Sequence, residues 1–239
     1  MSFKRVVLKL SGEALMGKEQ SNKVLNKSIL YNIANQVKEL VTNNIQVGIV
    51  IGGGNVFRGR YCDEFSIKRE DGDYMGMVAT IFNSLAFKAC LDSIGVDNVV
   101  MSALDIEKVC TPYKAKTANK LLNKKVVIFA AGTGRPYYST DTCAALRAKE
   151  IKADVILMAK NGVDGVYNKD PRKYKSAKKY EFISYDEVLS NKLEVIDLSA
   201  ISICKENKIN LIVFDMDKEN AIIDASNGAK IGTLIGEEN

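Results

Sequence analysis

The sequence predicts an α/β fold, a three-layer αβα sandwich around a mostly parallel central sheet, with residues 1–239 forming one domain. Three observations point there. Short, nearly continuous apolar runs alternate with segments of helical period, as expected for strands covered on both faces and joined by crossover helices. Glycine- or hydroxyl-rich segments follow several of those runs, where open sheets of this kind bind ligands. No linker-like or low-complexity stretch and no internal repeat divides the chain.

The elements follow in order. Val6–Leu10 reads as the first strand, and Ile29, Leu30, Ile33, Val37, Leu40 and Val41 share one face of a helix. Val47–Ile51 is the second strand and ends in three glycines. Met77, Ile81, Leu85, Lys88 and Leu91 mark a helix, followed by a strand at Asn98–Met101. A helix near Lys114–Leu122 leads to the strand Val126–Ala130; Thr142–Glu150 is helical and Val155–Met158 is again strand. After a loop rich in Gly, Asn, Asp and Lys, Ser184 and Glu187 have capping-box spacing and open a helix through Leu189. Leu198–Cys204 reads as helix, Leu211–Phe214 as strand, Lys218–Asp224 as helix and Thr233–Ile235 as a last short strand.

Composition narrows the chemistry. At 46% hydrophobic and 26% charged residues the chain resembles an ordinary globular protein. No apolar run approaches the roughly 18 residues of a membrane span, and the amino terminus lacks a signal-peptide core, so a cytoplasmic protein without membrane contact is expected. Five scattered cysteines, never spaced Cys-x-x-Cys, argue against a disulfide framework and a zinc site. The net charge of +5 is spread along the chain, which suits small anions better than nucleic acid. Histidine is absent, so any chemistry proceeds without the commonest general base and metal ligand.

Gly52-Gly53-Gly54 lets backbone N–H groups approach an anion. It is not a dinucleotide fingerprint, because Phe57 stands where a third spaced glycine is needed, and Tyr137 breaks the same pattern after Gly132 and Gly134. Gly12 to Lys18 imitates a P-loop, but Glu19 replaces the required Ser or Thr, and Leu15-Met16 are bulky for a phosphate cradle. Lys9 ends an apolar strand; it either snorkels out of the sheet end or aims a cation into the ligand crevice beside Ser11-Gly12. Gly132 to Asp141 supplies hydroxyls, a cation and two glycines ahead of a helix N-terminus, a favourable place for a phosphate. For Asp141 an N-cap and a catalytic role fit equally well. Asn161 to Asp170, with two acids and an aromatic among turn residues, reads alone as a solvated loop.

Together these segments resemble the amino-acid kinase family, and within it the bacterial uridylate (UMP) kinase branch, from about Arg5 to Ile235. The matching blocks are Lys9 to Leu15, Ile51 to Gly59, Gly72-Asp-Tyr-Met-Gly-Met77, Gly132 to Asp141, Val163 to Tyr167, Asp170-Pro171 and Gly232 to Ile235. The resemblance implies an amino-acid kinase-like fold and transfer of the ATP γ-phosphoryl group to UMP with Mg²⁺, giving UDP and ADP for pyrimidine nucleotide synthesis. It further implies a homohexamer and feedback inhibition by UTP. Lys9, Leu10, Ser11, Gly12, Gly54, Arg58, Asn161, Tyr167 and Asp170 would bind ATP. Gly53, Asp73, Thr133, Gly134, Arg135, Pro136, Tyr137, Tyr138, Ser139 and Thr140 would bind UMP, with Asp73 on the ribose hydroxyls. Lys9, Arg58 and Asp141 would be catalytic, Asp141 organising the catalytic cations; Lys160 is a second cation whose position matches less clearly. Two departures stand out. Arg135 replaces the family's usual Asn, and Glu19 to Leu25 lacks the Gly-Phe-Gly-Ile-Asp stretch of members activated by GTP, which predicts no such activation. The alternatives are a family member phosphorylating a small carboxylate or carbamate, and a non-catalytic nucleotide-binding protein on the same fold.

Overall fold

The computed structural model describes residues 3–17, 23–193 and 195–237. The strands are β1 (Arg5–Leu10), β2 (Gln46–Ile51), β3 (Asn98–Ser102), β4 (Thr111–Pro112), β5 (Val126–Ala130), β6 (Val155–Lys160), β7 (Phe182–Ser184), β8 (Asn210–Asp215) and β9 (Thr233–Gly236). The α-helices are α1 (Lys27–Thr42), α2 (Tyr61–Glu64), α3 (Arg69–Ser93), α4 (Ala115–Leu121), α5 (Thr140–Ile151), α6 (Tyr185–Ser190), α7 (Leu198–Asn207) and α8 (Ala221–Ser226), with a 3₁₀ turn at Glu13–Leu15.

One sheet runs in the order β4-β3-β5-β2-β1-β6-β8-β9-β7. Every neighbouring pair is parallel except β8–β9. Alternate residues of each strand feed opposite faces, as strand geometry requires. Val6, Leu8 and Leu10 join α1, α3 and α8 on one side; Val7, Ile156 and Met158 join α5, α6 and α7 on the other. Because β1 and β2 sit centrally and run the same way, their carboxyl ends open at one edge, where the glycine segments lie.

Local chemistry explains the boundaries. Asn26 caps α1 by accepting from Ile29 N–H, and Ser184 and Glu187 form the expected capping box. The long α3 has the length and mean hydropathy of a membrane span, although Thr80, Asn83, Ser84 and Lys88 interrupt its apolar residues, and half of that stretch is buried inside the fold. It is a core helix: Phe87 and Leu91 are fully buried, each worth about 1.5–3 kcal/mol of hydrophobic stabilisation. The helix also begins eight residues before Met77. The sequence reading did not anticipate α2, the 3₁₀ turn, or the short edge strands β4 and β7. All five cysteines are free thiols, four of them buried.

Candidate active site

Lys9 does not snorkel. It shares the β1 face of Val7, beneath α5, and is 5% exposed. Its Nζ lies 2.5 Å from Asp141 Oδ1, and Lys160, at the end of β6, lies 3.7 Å from Asp141 Oδ2. Asp141 is not the N-cap of α5. Ser139 fills that position, accepting from Thr142 N–H at 3.1 Å, which leaves Asp141 in the first turn, aimed at the sheet. Burial alone would raise the Asp141 carboxyl, but Lys9 and Lys160 outweigh it and hold the group below the ordinary carboxylate range. Burial lowers the Lys160 ammonium below the usual lysine value, with Lys9 acting in the same direction and Asp141 opposing. Two ammonium groups around one carboxylate leave a surplus positive charge beside a helix N-terminus.

Two clefts lie near this cluster, one reaching Thr140, the residue before Asp141, and the other reaching Lys160 itself. The first is lined by Gly53, Gly54, Gly72, Asp73, Gly76, Met77, Thr80, Gly132, Thr133, Arg135, Tyr138 and Thr140, together with Phe57 and Gly59. The second is lined by Ser11, Glu13, Gly17, Lys160, Asn161 and Val163. Most residues expected on the acceptor therefore converge in one cleft, while Ser11 and Asn161 meet Lys160 in the other.

The remaining expected residues are placed as follows. Leu10 is fully buried in the core, so only its backbone can face a ligand. Ser11 Oγ accepts from Ala14 N–H at 3.1 Å and starts the 3₁₀ turn, whose Ala14 and Leu15 are buried; a turn with buried side chains is no P-loop cradle. A Cβ on Gly12 would stand 2.5 Å from Asn55 Oδ1 and 2.6 Å from Gly52 O, and one on Gly53 would stand 2.7 Å from Gly76 O. These glycines are thus required by the packing of loop on loop and loop on α3, as well as by any ligand. Arg58 Nε donates to Gly54 O at 3.1 Å, and its guanidinium pairs with Glu13 at 2.9 Å.

Asp73 is already engaged: Oδ1 accepts from Arg69 Nε at 2.9 Å and Oδ2 from Tyr137 N–H at 2.7 Å. It clips the loop 131–140 to α3. That loop needs left-handed backbone at Ala131, Gly132, Gly134 and Tyr137, and a Cβ on Gly134 would meet Ala103 O at 2.8 Å. Thr133 Oγ1 accepts from Arg135 N–H at 3.2 Å. Arg135, Tyr137 and Tyr138 are exposed, and Pro136 lies between them. Tyr167 and Asp170 fall outside both clefts: Tyr167 donates to Asp164 at 2.7 Å and Asp170 pairs with Arg172. Asn161 Nδ2 donates to Asp217 at 3.1 Å. The segment invoked for GTP, Glu19 to Leu25, lies largely outside the described residues.

Sequence reasoning missed Glu13, and it missed the polar side chains Thr80 and Asn83 on the buried face of α3. The signal for the latter pair was available as two polar residues among apolar ones at helical spacing. Among the described residues no cluster of three or more acidic or cysteine side chains could cage a metal.

Residues 4–215 match the amino acid kinase family. Among solved structures, the UMP kinase of Bacillus anthracis superposes with a TM-score of 0.96 at 37% identity, covering 100% of this chain and 98% of that one. The UMP kinase of Ureaplasma parvum gives 0.93 at 39%, over 99% and 100% of the two chains. The uridylate kinase of Archaeoglobus fulgidus gives 0.75 at 31%, again over 99% and 100%. With a parallel sheet, glycine loops at its carboxyl edge and a match over most of its length, this chain belongs to the amino acid kinase family.

Proposed function

We propose that this protein is a UMP kinase that transfers the γ-phosphoryl group of ATP to UMP, giving UDP and ADP for pyrimidine nucleotide synthesis. The observation that carries the reading is the Lys9–Asp141–Lys160 cluster with one cleft reaching Thr140, the neighbour of Asp141, and another reaching Lys160, in a chain alike over its whole length to two UMP kinases. In this reading ATP occupies the Ser11–Lys160–Asn161 side, with Lys9 to Gly12 and Arg58 as further contacts; Gly54 would reach it from the wall of the acceptor cleft, and Tyr167 and Asp170 from outside both clefts. UMP occupies the cleft of Gly53, Asp73 and Thr133 to Thr140. Residues 1–239 act as one domain.

The acceptor is a phosphate monoester whose second pKa is about 6, so its attacking oxygen is already ionised at neutral pH. No general base is needed, which fits a chain without histidine. The obstacle is repulsion between two anions. Lys9, Lys160 and Arg58 lower it, together with the backbone N–H groups of the glycine loops and of the first turn of α5. Asp141, held ionised by its lysines, keeps both ammonium groups oriented and does not serve as an acid. Mg²⁺ fits as a nucleotide-borne ion: Asp141 is one carboxylate, too few for a protein cage, and Mg²⁺ is typically shared between one or two carboxylates and phosphate oxygens. When bound, it neutralises phosphate charge.

The protein in this reading is cytoplasmic, forms a homohexamer and is inhibited by UTP. Assembly is supported by an exposed apolar stripe on α3, where Tyr74, Val78 and Phe82 are 39%, 58% and 46% exposed. The deciding experiment offers UMP, CMP, dTMP, glutamate and carbamate with ATP and Mg²⁺ and measures ADP formed. Selective turnover of UMP supports the reading. Turnover of glutamate or carbamate would favour another reaction of the family, and binding without ADP release would leave a nucleotide-binding protein.

A further inference from the structure

On its buried face α3 carries Thr80, Asn83 and Ser84, at most 4% exposed among apolar neighbours. Such groups cost stability unless they are paired, and here each is. Thr80 Oγ1 donates to Met77 O at 2.7 Å and accepts from Ala131 N–H at 2.8 Å, where the chain leaves β5 for the loop 131–140. Three residues on, Asn83 Nδ2 donates to Gly52 O and to Asn55 Oδ1, both at 2.7 Å. Its Oδ1 accepts from Asn55 Nδ2 at 2.9 Å, and Asn55 Nδ2 also donates to Val24 O at 2.8 Å. All four amide N–H groups of the pair are used. Ser84 Oγ, by contrast, donates to Thr80 O within its own helix.

One turn of α3 therefore grips the backbone of both loops that border the acceptor cleft. We propose that Thr80 and Asn83 are positioning residues, a two-point clamp that sets the spacing between the Gly52–Asn55 loop and the loop 131–140, and so the alignment of the two phosphates. Asn83 lines neither cleft and acts through Gly52 and Asn55. The clamp rests on the two-substrate reading above. A displacement of about 1 Å in a reacting group can lower turnover about a hundredfold. Asn83→Ala should accordingly reduce kcat by roughly ten- to a hundredfold while both KM values stay within about threefold.

The test compares wild type, Asn83→Ala, Thr80→Val and Ser84→Ala by steady-state kinetics and by hydrogen–deuterium exchange. Val56 and Phe57 N–H both donate to Gly53 O at 3.0 Å and report on the loop. Their exchange should accelerate in Asn83→Ala but not in Ser84→Ala, which loses a buried hydroxyl without touching a loop. Thr80→Val keeps the shape of the side chain and carries the test if Asn83→Ala does not fold, read at the N–H groups of Ala131, which donates to Thr80 Oγ1, and Gly134, which donates to Ala131 O. Unchanged loop exchange and kcat, or equal losses in Asn83→Ala and Ser84→Ala, overturn the clamp. If wild type forms no ADP with UMP, the functional reading falls, and the exchange rates alone decide the clamp.

Discussion

Replacing Lys9 by methionine keeps the length of the side chain and removes its charge, stranding Asp141 in a site where the two side chains are 7% and 13% exposed. At an effective dielectric constant of about 20, an ion pair at 2.5 Å is worth about 7 kcal/mol, and the Lys160 pair at 3.7 Å about 4 kcal/mol. Desolvation offsets several kcal/mol per ion, so one-sided removal of a buried pair costs about 3–5 kcal/mol. With Lys160 still present, Lys9→Met should lose about 3 kcal/mol by urea denaturation. Adding Asp141→Asn removes the stranded carboxylate but leaves Lys160 without its partner, so it should restore only part of that loss, which a double-mutant cycle measures. Activity should not follow. In ADP-release assays both variants should fall about 10²–10³-fold in kcat, with the KM for UMP nearly unchanged, because the missing cation acts on charge at the transferring phosphoryl group. Wild-type stability in Lys9→Met would refute the energetic coupling. Recovered turnover in the double variant would mean that Lys9 serves only to neutralise Asp141, and equal loss of kcat and UMP affinity would make Lys9 a binding residue. The pH dependence has a definite sign. The Asp141 carboxyl is depressed in the folded state, so its contribution is present above the unfolded carboxylate pKa of about 4 and is lost as pH falls through the folded value. The stability difference between wild type and Asp141→Asn should therefore shrink in acid.

Asp73→Asn should raise the KM for UMP on the order of tenfold with a smaller change in kcat, since it weakens charge-assisted hydrogen bonds at the acceptor cleft; an unchanged KM removes Asp73 from that site. Burial lowers the Lys160 ammonium, so the alkaline limb of kcat should lie below the ordinary lysine value of 10.5. Lys160→Arg should move that limb upward, and a limb that stays in place excludes Lys160 from the profile. Val78→Glu, in the middle of the exposed α3 stripe, should shift the mass seen by light scattering to a smaller species. An unchanged mass would exclude the stripe from the subunit interface.

The sequence made the centre of the fold legible and left its edges obscure. β1, β2, β5, β6 and β8 announce themselves because burial on both faces demands continuous apolar runs. β4 and β7, two and three residues long, carry too little pattern, and the antiparallel pairing of β9 leaves no mark on its composition. The first turns of α3 were hidden by Gly72 and Gly76, each costing about 1 kcal/mol relative to alanine in a helix interior. The fold explains Gly72: a Cβ there would lie 2.2 Å from Cys62 Sγ of α2. Asp73 was recognised by its motif, but its grip on Tyr137 N–H joins residues 64 positions apart and has no local signature. The same is true of Lys160 beside Asp141. Each residue was visible, but only the parallel register of β1 and β6 brings Lys160 to the carboxylate that Lys9 holds.

The steric keying of Gly12 into Asn55, and of Asn55 into Asn83, bears on how this scaffold could be altered. Gly12 cannot gain a side chain, nor Asn55 or Asn83 grow or change polarity, without displacing the next, so the two glycine loops cannot be exchanged separately for those of another protein. Residues 9–15, 51–59 and 77–84 would have to be transplanted as one module. In a saturation library scored for folding alone, with no nucleotide present, Gly12 and Gly53 should already be intolerant of side chains, whereas Gly59 and Gly76, whose Cβ positions are open, should accept alanine.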